Sequence, residues 1–250
     1  MRFDVITIFP EMFEALRIGG VIGRALDKQV FELRTWNPRD YTTDTRKTVD
    51  DRAYGGGPGM VMMAGPLDKT VQAIALALHE ANHAQGPVIL LSPQGRVFQQ
   101  GMVKEMLSYS QMTLVCGRYE AVDQRFIEQH VDFEVSIGDF VVSGGEIPAM
   151  LMMDAMIRTI PGVLGDDESA QQDSFMQGLL DCPHYTRPEN YENFVVPNVL
   201  LGGNHAKIAG WRREQSLIAT QQHRPDLIES ARKNGLLSAS DELFLKQMGS

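Results

Sequence analysis

Residues 88–146 decide the fold, because within this stretch three apolar runs each open into a glycine-containing loop. The runs and loops read VILLSPQG (88–95), MTLVCGRYE (112–120), and FEVSIGDF (133–140) with SGGE (143–146). Such runs are typical of strands buried in a parallel sheet, whose carboxyl ends bind ligands where glycines let the backbone come close. We therefore expect one ligand site shared by the three loops. Glycines that only make turns would explain any single loop.

Strand and helix signals alternate through the first 160 residues, which is the order expected of an α/β fold. Residues 3–9 alternate with a period of two, residues 31–36 form a second strand, and residues 72–79 form the body of a helix. A further helix begins near Glu146 and carries methionines at the spacing of core residues, namely Met150, Met152, Met153 and Met156.

The character of the sequence changes after residue 160. Residues 165–172 are acidic and polar, and helical patterns follow at 206–221, 225–233 and 241–248. The spacing of Ser238 and Asp241 fits a capping box before the last of these helices. We predict three parts: an α/β domain (1–161), a linker (162–173) and a smaller helical domain (174–250).

The composition indicates a globular protein of a reducing compartment. Hydrophobic residues make up 43% and charged residues 22% of 250 residues, enough apolar material for a core without crosslinks. The two cysteines, Cys116 and Cys182, are too few for a disulfide framework. The beginning of the chain lacks the pattern of a signal peptide, and no apolar stretch approaches the roughly 18 residues that span a bilayer. We expect a soluble, cytoplasmic protein.

The net charge of −9 argues weakly against a nucleic-acid partner, because phosphates need local positive charge. The acidic residues are concentrated, however, between Glu120 and Asp173, where Arg125 and Arg158 are the two basic residues. The last 50 residues are slightly basic, so a nucleic acid stays compatible with that part of the chain.

Two familiar kinds of site are excluded or disfavoured. The sequence has neither a P-loop motif nor G-x-G-x-x-G after its first strand. His79-Glu80-Ala81-Asn82-His83 matches the H-E-x-x-H motif of zinc proteases, with Glu105 as the nearest plausible third ligand. The match falls at the end of its predicted helix, so we interpret it as a solvated helix terminus.

Longer strings carry a specific resemblance. The chain resembles the bacterial tRNA (guanine-N1)-methyltransferases, the SPOUT-type group in which a deep trefoil knot holds S-adenosylmethionine. The matching strings run nearly end to end: FDVITIFPEMF (3–13), YGGGPGMV (54–61), LSPQGR (91–96), CGRYEAVDQR (116–125), SIGDFVVSGGE (136–146), IPGVLG (160–165), DSF (173–175), LLDCPHYTRP (179–188) and GNHAKI (203–208).

The resemblance implies that the three loops hold S-adenosylmethionine inside the knot. Some relatives have tyrosine in place of Phe140, so a backbone role of this residue carries over and a hydroxyl contact does not. The implied cofactor-binding residues are Leu91, Pro93, Gly95, Gly117, Tyr119, Glu120, Ser136, Ile137, Gly138, Asp139, Phe140, Val141, Val142, Gly144, Gly145 and Pro148.

The resemblance also implies the substrate, guanine 37 of tRNA beside the anticodon, and the residues that act on it. Asp173 would remove the proton from N1, and Arg158 would stabilise negative charge on O6. Glu120 and Asp173 would hold Mg²⁺. By residue type alone, Asp173 would equally be an N-cap before 174–180 and Arg158 a helix C-terminal residue.

The remaining implications concern partners. Asp181, His184, Tyr185 and Arg187 would place the anticodon stem-loop, and two copies of the chain would form a homodimer with a shared active site. Two alternatives stay open from the residues: a knotted methyltransferase acting on another RNA position, and an RNA-binding module without catalysis.

Overall fold

A parallel sheet of five strands forms the centre of the computed structural model, which describes residues 1–165 and 172–248. In sheet order the strands are β2 (Glu32–Trp36), β1 (Arg2–Ile6), β6 (Gln111–Cys116), β5 (Val88–Val97) and β8 (Phe133–Ser136). The three predicted apolar runs therefore lie side by side as β6, β5 and β8. This confirms the prediction of an α/β fold with a parallel sheet.

Helices cover both faces of this sheet. On one face pack α1 (Gly20–Asp27), α3 (Gln100–Met106) and α5 (Glu146–Ile157), and on the other α2 (Ala64–Glu80) and α4 (Gln124–His130). Met152, Met153 and Met156 of α5 are fully buried, which confirms the prediction that these methionines are core residues.

Short elements complete this part of the chain. Two 3-10 helices (Pro10–Leu16 and Pro38–Tyr41) follow β1 and β2, respectively. A second, small sheet was not predicted and consists of β3 (Asp50–Arg52), β4 (Met60–Met62) and β7 (Ala121–Val122). It joins the loop that follows β6 to the glycine-rich segment before β4.

A buried ion pair in β1 ties this strand to its two neighbours in the sheet, β2 and β6. The Asp4 carboxylate accepts hydrogen bonds from Nε and Nη2 of Arg2, both at 2.8 Å, and neither side chain is more than 1% exposed. It also accepts from Trp36 Nε1 in β2 (2.8 Å) and Gln111 Nε2 in β6 (2.9 Å). A buried carboxylate needs such partners, because its desolvation is otherwise very costly.

The chain divides into two compact units, Met1–Gly165 and Asp166–Ser250. Within the second unit lie α6 (Asn198–Leu201), α7 (His205–His223), α8 (Pro225–Lys233), α9 (Ala239–Met248) and a hairpin of β9 (Asn190–Tyr191) with β10 (Phe194–Val195). Residues 166–171 of the predicted linker lie outside the described residues. None of the helices in the described ranges is both long and apolar enough to cross a bilayer.

Two predictions made from local sequence patterns are confirmed in the second unit. The predicted helix 225–233 matches α8, and the predicted capping box forms before α9: Asp241 N–H donates to Ser238 Oγ (3.2 Å) and Ser238 N–H to Asp241 Oδ2 (2.8 Å). Residues 174–180 form turns rather than a helix, so Asp173 is not an N-cap.

In the first unit, α2 ends at Glu80, so His83 lies outside the helix. In a zinc protease, both histidines of the H-E-x-x-H motif lie on one helix.

We expect the replacement Asp4→Ala to lower the free energy of unfolding of the first unit by about 3–5 kcal/mol, because the buried Arg2 cation loses its counter-ion. Urea unfolding monitored by Trp36 fluorescence, in a Trp211→Phe background, measures this change. The matched control is Asp27→Ala at an exposed position, which should change stability by about 0.5 kcal/mol or less. A loss below about 1 kcal/mol for Asp4→Ala would contradict the role given to the pair.

Candidate functional site

A cavity of about 340 Å³ opens at the carboxyl ends of β5, β6 and β8. All three predicted glycine-containing loops contribute to its wall, as does the start of α5. The predicted cofactor-binding residues that line it are Leu91, Pro93, Gly117, Tyr119, Glu120, Ser136, Ile137, Phe140, Val141, Val142, Gly144, Gly145 and Pro148. The structure thus brings most of the predicted site together in one place.

Three predicted cofactor residues do not line the cavity. Gly95 lies against the next strand, where an added Cβ would be 2.3 Å from the carbonyl carbon of Glu134. Gly138 has a φ of +135°, which favours glycine, and packs against the ring of Phe140. Asp139 is exposed. The first two residues shape the loops that border the cavity, because their positions require glycine.

The first loop differs from the prediction in its secondary structure. Leu91-Ser92-Pro93-Gln94-Gly95 continues β5 to Val97, although the pairing with β8 shifts its register between Leu91 and Arg96. A register shift of this kind keeps the segment paired with β8 while the strand bends locally.

An ion pair that the sequence did not reveal holds the cavity wall. The Glu146 carboxylate is fully buried at the start of α5 and accepts hydrogen bonds from Arg118 Nε and Thr7 Oγ1, both at 2.8 Å. The guanidinium of Arg118 lies 4.5 Å from the ring centroid of Phe9 and donates to the Ser143 carbonyl (3.2 Å). Arg118 therefore connects the loop after β6 with the end of β1 and with the loop before α5.

Two consecutive glycines let the chain pass close to this ion pair. A Cβ on Gly144 would lie 2.1 Å from Arg118 Nε, and a Cβ on Gly145 would lie 2.6 Å from the Cα of Cys116. The Gly145 N–H donates to the Gly117 carbonyl (3.0 Å). The third loop thus returns to the end of β6 before α5 begins, and no side chain larger than hydrogen fits there without movement.

Tyr119 and Glu120 stand beside the small second sheet. Burial, with a hydrogen bond to Asp50, raises the pKa of the Tyr119 hydroxyl. The Glu120 N–H donates to the Met60 carbonyl (2.9 Å), and Glu120 packs against Gly59 at the end of the glycine-rich segment.

Burial, together with the nearby Glu146, raises the pKa of the Cys116 thiol well above its ordinary value, as expected of an inert core thiol.

The two predicted catalytic residues belong to different units of the chain, and Arg158, in the first unit, does not line the cavity. Arg158 follows α5, and its backbone N–H donates to the Asp154 carbonyl (3.2 Å). Asp173 belongs to the second unit, where its carbonyl accepts from the Met176 N–H (3.2 Å). Both side chains are half-buried.

The predicted RNA-binding residues gather in the second unit. His184, Tyr185 and Arg187 line a groove of about 810 Å³, together with Trp211 and Arg212, which the sequence had not singled out. The rings of Tyr185 and Trp211 are 6.2 Å apart. Aromatic rings and arginines in one groove suit unpaired nucleotides, which bind by stacking and through their phosphates.

Asp181 does not line the groove but holds His184 through a hydrogen bond. Its Oδ2 lies 2.8 Å from His184 Nε2, and its Oδ1 accepts from the Cys182 N–H (2.7 Å). Burial alone would raise the pKa of Asp181, but these two hydrogen bonds outweigh it and the pKa is lowered.

Asp181, Cys182 and His184 are also the one group of three metal-ligand side chains within the described residues. His79 and His83 belong to no such group among these residues.

Comparison with known proteins gives a consistent result. The family model described as tRNA (Guanine-1)-methyltransferase TrmD matches residues 1–230. The chain is similar to the tRNA (guanine-N(1)-)-methyltransferase of Polynucleobacter asymbioticus, with 62% identity over 99% of this chain and 100% of the relative. It is also similar to proteins of that name from Ralstonia nicotianae (59%, over 98% and 92% of the two chains) and Cupriavidus necator (57%, over 99% and 95%).

We expect Gly145→Ala to destabilise the first unit by about 1–3 kcal/mol, because the new methyl group would have to displace the backbone of β6. Gly101→Ala in α3 is the matched control: nothing lies within 4 Å of its added Cβ, and alanine favours a helix. Urea unfolding should therefore show opposite signs for the two variants. Equal stability of the two would mean that the third loop is not held against β6.

Proposed function

Because the chain belongs to the tRNA (guanine-1)-methyltransferase family, we propose that it transfers the methyl group of S-adenosylmethionine to N1 of guanine 37, beside the anticodon of tRNA. The observation that carries this proposal is the cavity at the carboxyl ends of three parallel strands. Its volume lies within the range of about 300–1,000 Å³ that is usual for small-ligand sites. Its glycines would let backbone groups contact the adenine and ribose directly.

The cavity is the proposed binding site of the methyl donor. The predicted cofactor-binding residues line it, except for Gly95, Gly138 and Asp139. When bound there, S-adenosylmethionine supplies an electrophilic methyl group. The loop Val141–Gly145 and Pro148 would cover the donor, while Leu91 and Ile137 offer apolar contacts. Cytoplasmic location is part of the proposal, since the substrate is tRNA.

Catalysis requires removal of a proton, because N1 of guanine carries one near neutral pH. We assign this task to Asp173, whose carboxylate would accept the proton as the N1 lone pair attacks the methyl carbon. The negative charge that spreads to O6 would be stabilised by Arg158. Asp181, His184, Tyr185 and Arg187 would hold the anticodon stem-loop in the groove of the second unit, with Trp211 adding a stacking surface.

The proposal includes the deep trefoil knot. The hydrogen bond between Gly145 N–H and the Gly117 carbonyl supports it, because the third loop has to cross the end of β6 before entering α5. Arg118 reaches over Gly144 at the same crossing. A threaded loop would keep these close backbone contacts in place without a ligand.

We also propose a homodimer with a shared active site. Apolar side chains stand exposed beside the cavity, including Val141 (85% exposed), Phe140 (56%) and, one turn apart on α5, Ile147 and Leu151. Large exposed apolar side chains are what an interface with another protein chain would bury. In such a dimer, the second subunit would bring its Asp173 to the cavity of the first.

Magnesium is the second proposed cofactor. Mg²⁺ is often held by one or two carboxylates and by substrate oxygens, a role that suits Glu120 and Asp173. Neither belongs to the metal-ligand group found among residues 1–165 and 172–248, so RNA or water would complete the coordination. Glu120 borders the cavity.

The test of this function is methylation of an unmodified tRNA transcript with labelled S-adenosylmethionine, followed by mapping of the product. We expect 1-methylguanine at position 37. Asp173→Asn keeps the shape but not the proton affinity of the side chain, so the single-turnover rate should fall by about 10² or more. The control is Asp226→Asn, an exposed aspartate of the same unit, which should keep full activity. Methylation elsewhere, or a fall below tenfold, would contradict the assignments.

The shared site has its own test. Asp173→Asn and Gly117→Val, each inactive alone, are mixed and allowed to exchange subunits. If base and cofactor come from opposite chains, each mixed dimer has one site with both defects and one intact site, so activity should reappear in about half of the molecules. Exchange and dimerisation of Gly117→Val are checked by mass spectrometry. A mixture that exchanges and stays inactive would refute the shared site.

A further inference from the structure

Two carboxylates line the cavity without a cationic partner in the part of the chain that the structure describes. These are Glu120, after β6, and Glu134, in β8. Arg118 is the single basic residue in the described wall, and its charge is balanced by Glu146 at 2.8 Å. The fixed charge around the cavity is therefore negative, which favours a cationic ligand.

The sheet geometry directs Glu134 toward the cavity. Its neighbours in β8, Phe133 and Val135, pack into the core on the α3 and α5 side, so Glu134 points to the opposite face. Its register partner in β5 is Leu90, and Leu90 lines the cavity together with Ile127 of α4. Glu134 is half-buried there, so solvent screens its charge only in part.

We infer that Glu134 is a specificity-determining residue that makes the cavity prefer the methyl donor over its demethylated product. The inference rests on the proposed function. S-adenosylmethionine carries a sulfonium, an ammonium and a carboxylate, and hence one net positive charge. In the transfer, the bond from sulfur to the methyl carbon breaks, its electron pair stays on sulfur, and the N1 lone pair forms the new bond. The product S-adenosylhomocysteine is then neutral overall, and Glu134 attracts it less.

The preference has a consequence for turnover. A cavity lined only by backbone and apolar groups would bind donor and product with similar affinity, because they differ by one methyl group. A carboxylate that is not paired with a cation binds the positively charged donor more tightly than the neutral product. Glu134 thus favours exchange of the spent product for a fresh donor molecule.

Calorimetry on the full-length protein, with EDTA and no divalent metal, tests this. For Glu134→Gln we expect the affinity for S-adenosylmethionine to fall about tenfold and that for S-adenosylhomocysteine by less than about twofold. Sinefungin, with a protonated amine near the position of the sulfonium, should follow the donor. Glu134→Asp should retain most of the preference. The control is Glu128→Gln on α4, an exposed charge outside the cavity wall.

The outcomes are distinguishable. Equal losses for donor and product, or no loss, would overturn the role of Glu134 and leave the proposed function intact. Failure of the unaltered protein to bind either ligand would overturn the proposed function itself. If Glu134→Gln does not fold by circular dichroism, salt dependence in the unaltered protein decides: added NaCl should weaken donor binding more steeply than product binding, and equal slopes would refute the inference.

Discussion

The contact between Arg118 and Glu146 is the interaction on which the site depends. Glu146 is a fully buried carboxylate, so it has to be neutralised and hydrogen-bonded where it stands. Thr7 at the end of β1 and Arg118 after β6 meet this need, and Glu146 itself begins α5. One carboxylate therefore fixes three segments that are far apart in sequence. Loss of either charged partner would leave the other buried alone, at a cost of about 3–5 kcal/mol.

This constraint explains why the cavity wall is built from backbone. Arg118 crosses over Gly144, and Gly145 touches the end of β6, so the third loop has no room for side chains at these positions. A loop held by close backbone contacts and an ion pair keeps its shape without a bound ligand. Such preorganisation lowers the entropic cost of ligand binding.

Features governed by local sequence could be predicted, and features governed by long-range contacts could not. Buried parallel strands are continuous apolar runs, so β6 and β8 were visible in the sequence, as was the capping box at Ser238. The extension of β5 past Pro93 depends on pairing with β8, which no local pattern reports. Arg118 and Glu146 are 28 positions apart and look like surface charges until the fold joins them. Glu134 was missed for the same reason, because only the folded cavity shows that no cation among residues 1–165 and 172–248 pairs with it.

Net charge misled for a related reason. A net charge of −9 would disfavour an RNA partner only if the ligand interacted with all charges of the chain. At physiological ionic strength, however, salt screens charges that lie more than about 8 Å from the ligand. Within that distance the described sites differ in sign. Among the residues that the structure describes, no cation pairs with Glu120 or Glu134 in the cavity, which suits a sulfonium. The groove of the second unit carries Arg187 and Arg212 against Glu189. Ligand charge is therefore matched locally, and the same acidic chain has one site suited to a cation and another suited to a polyanion.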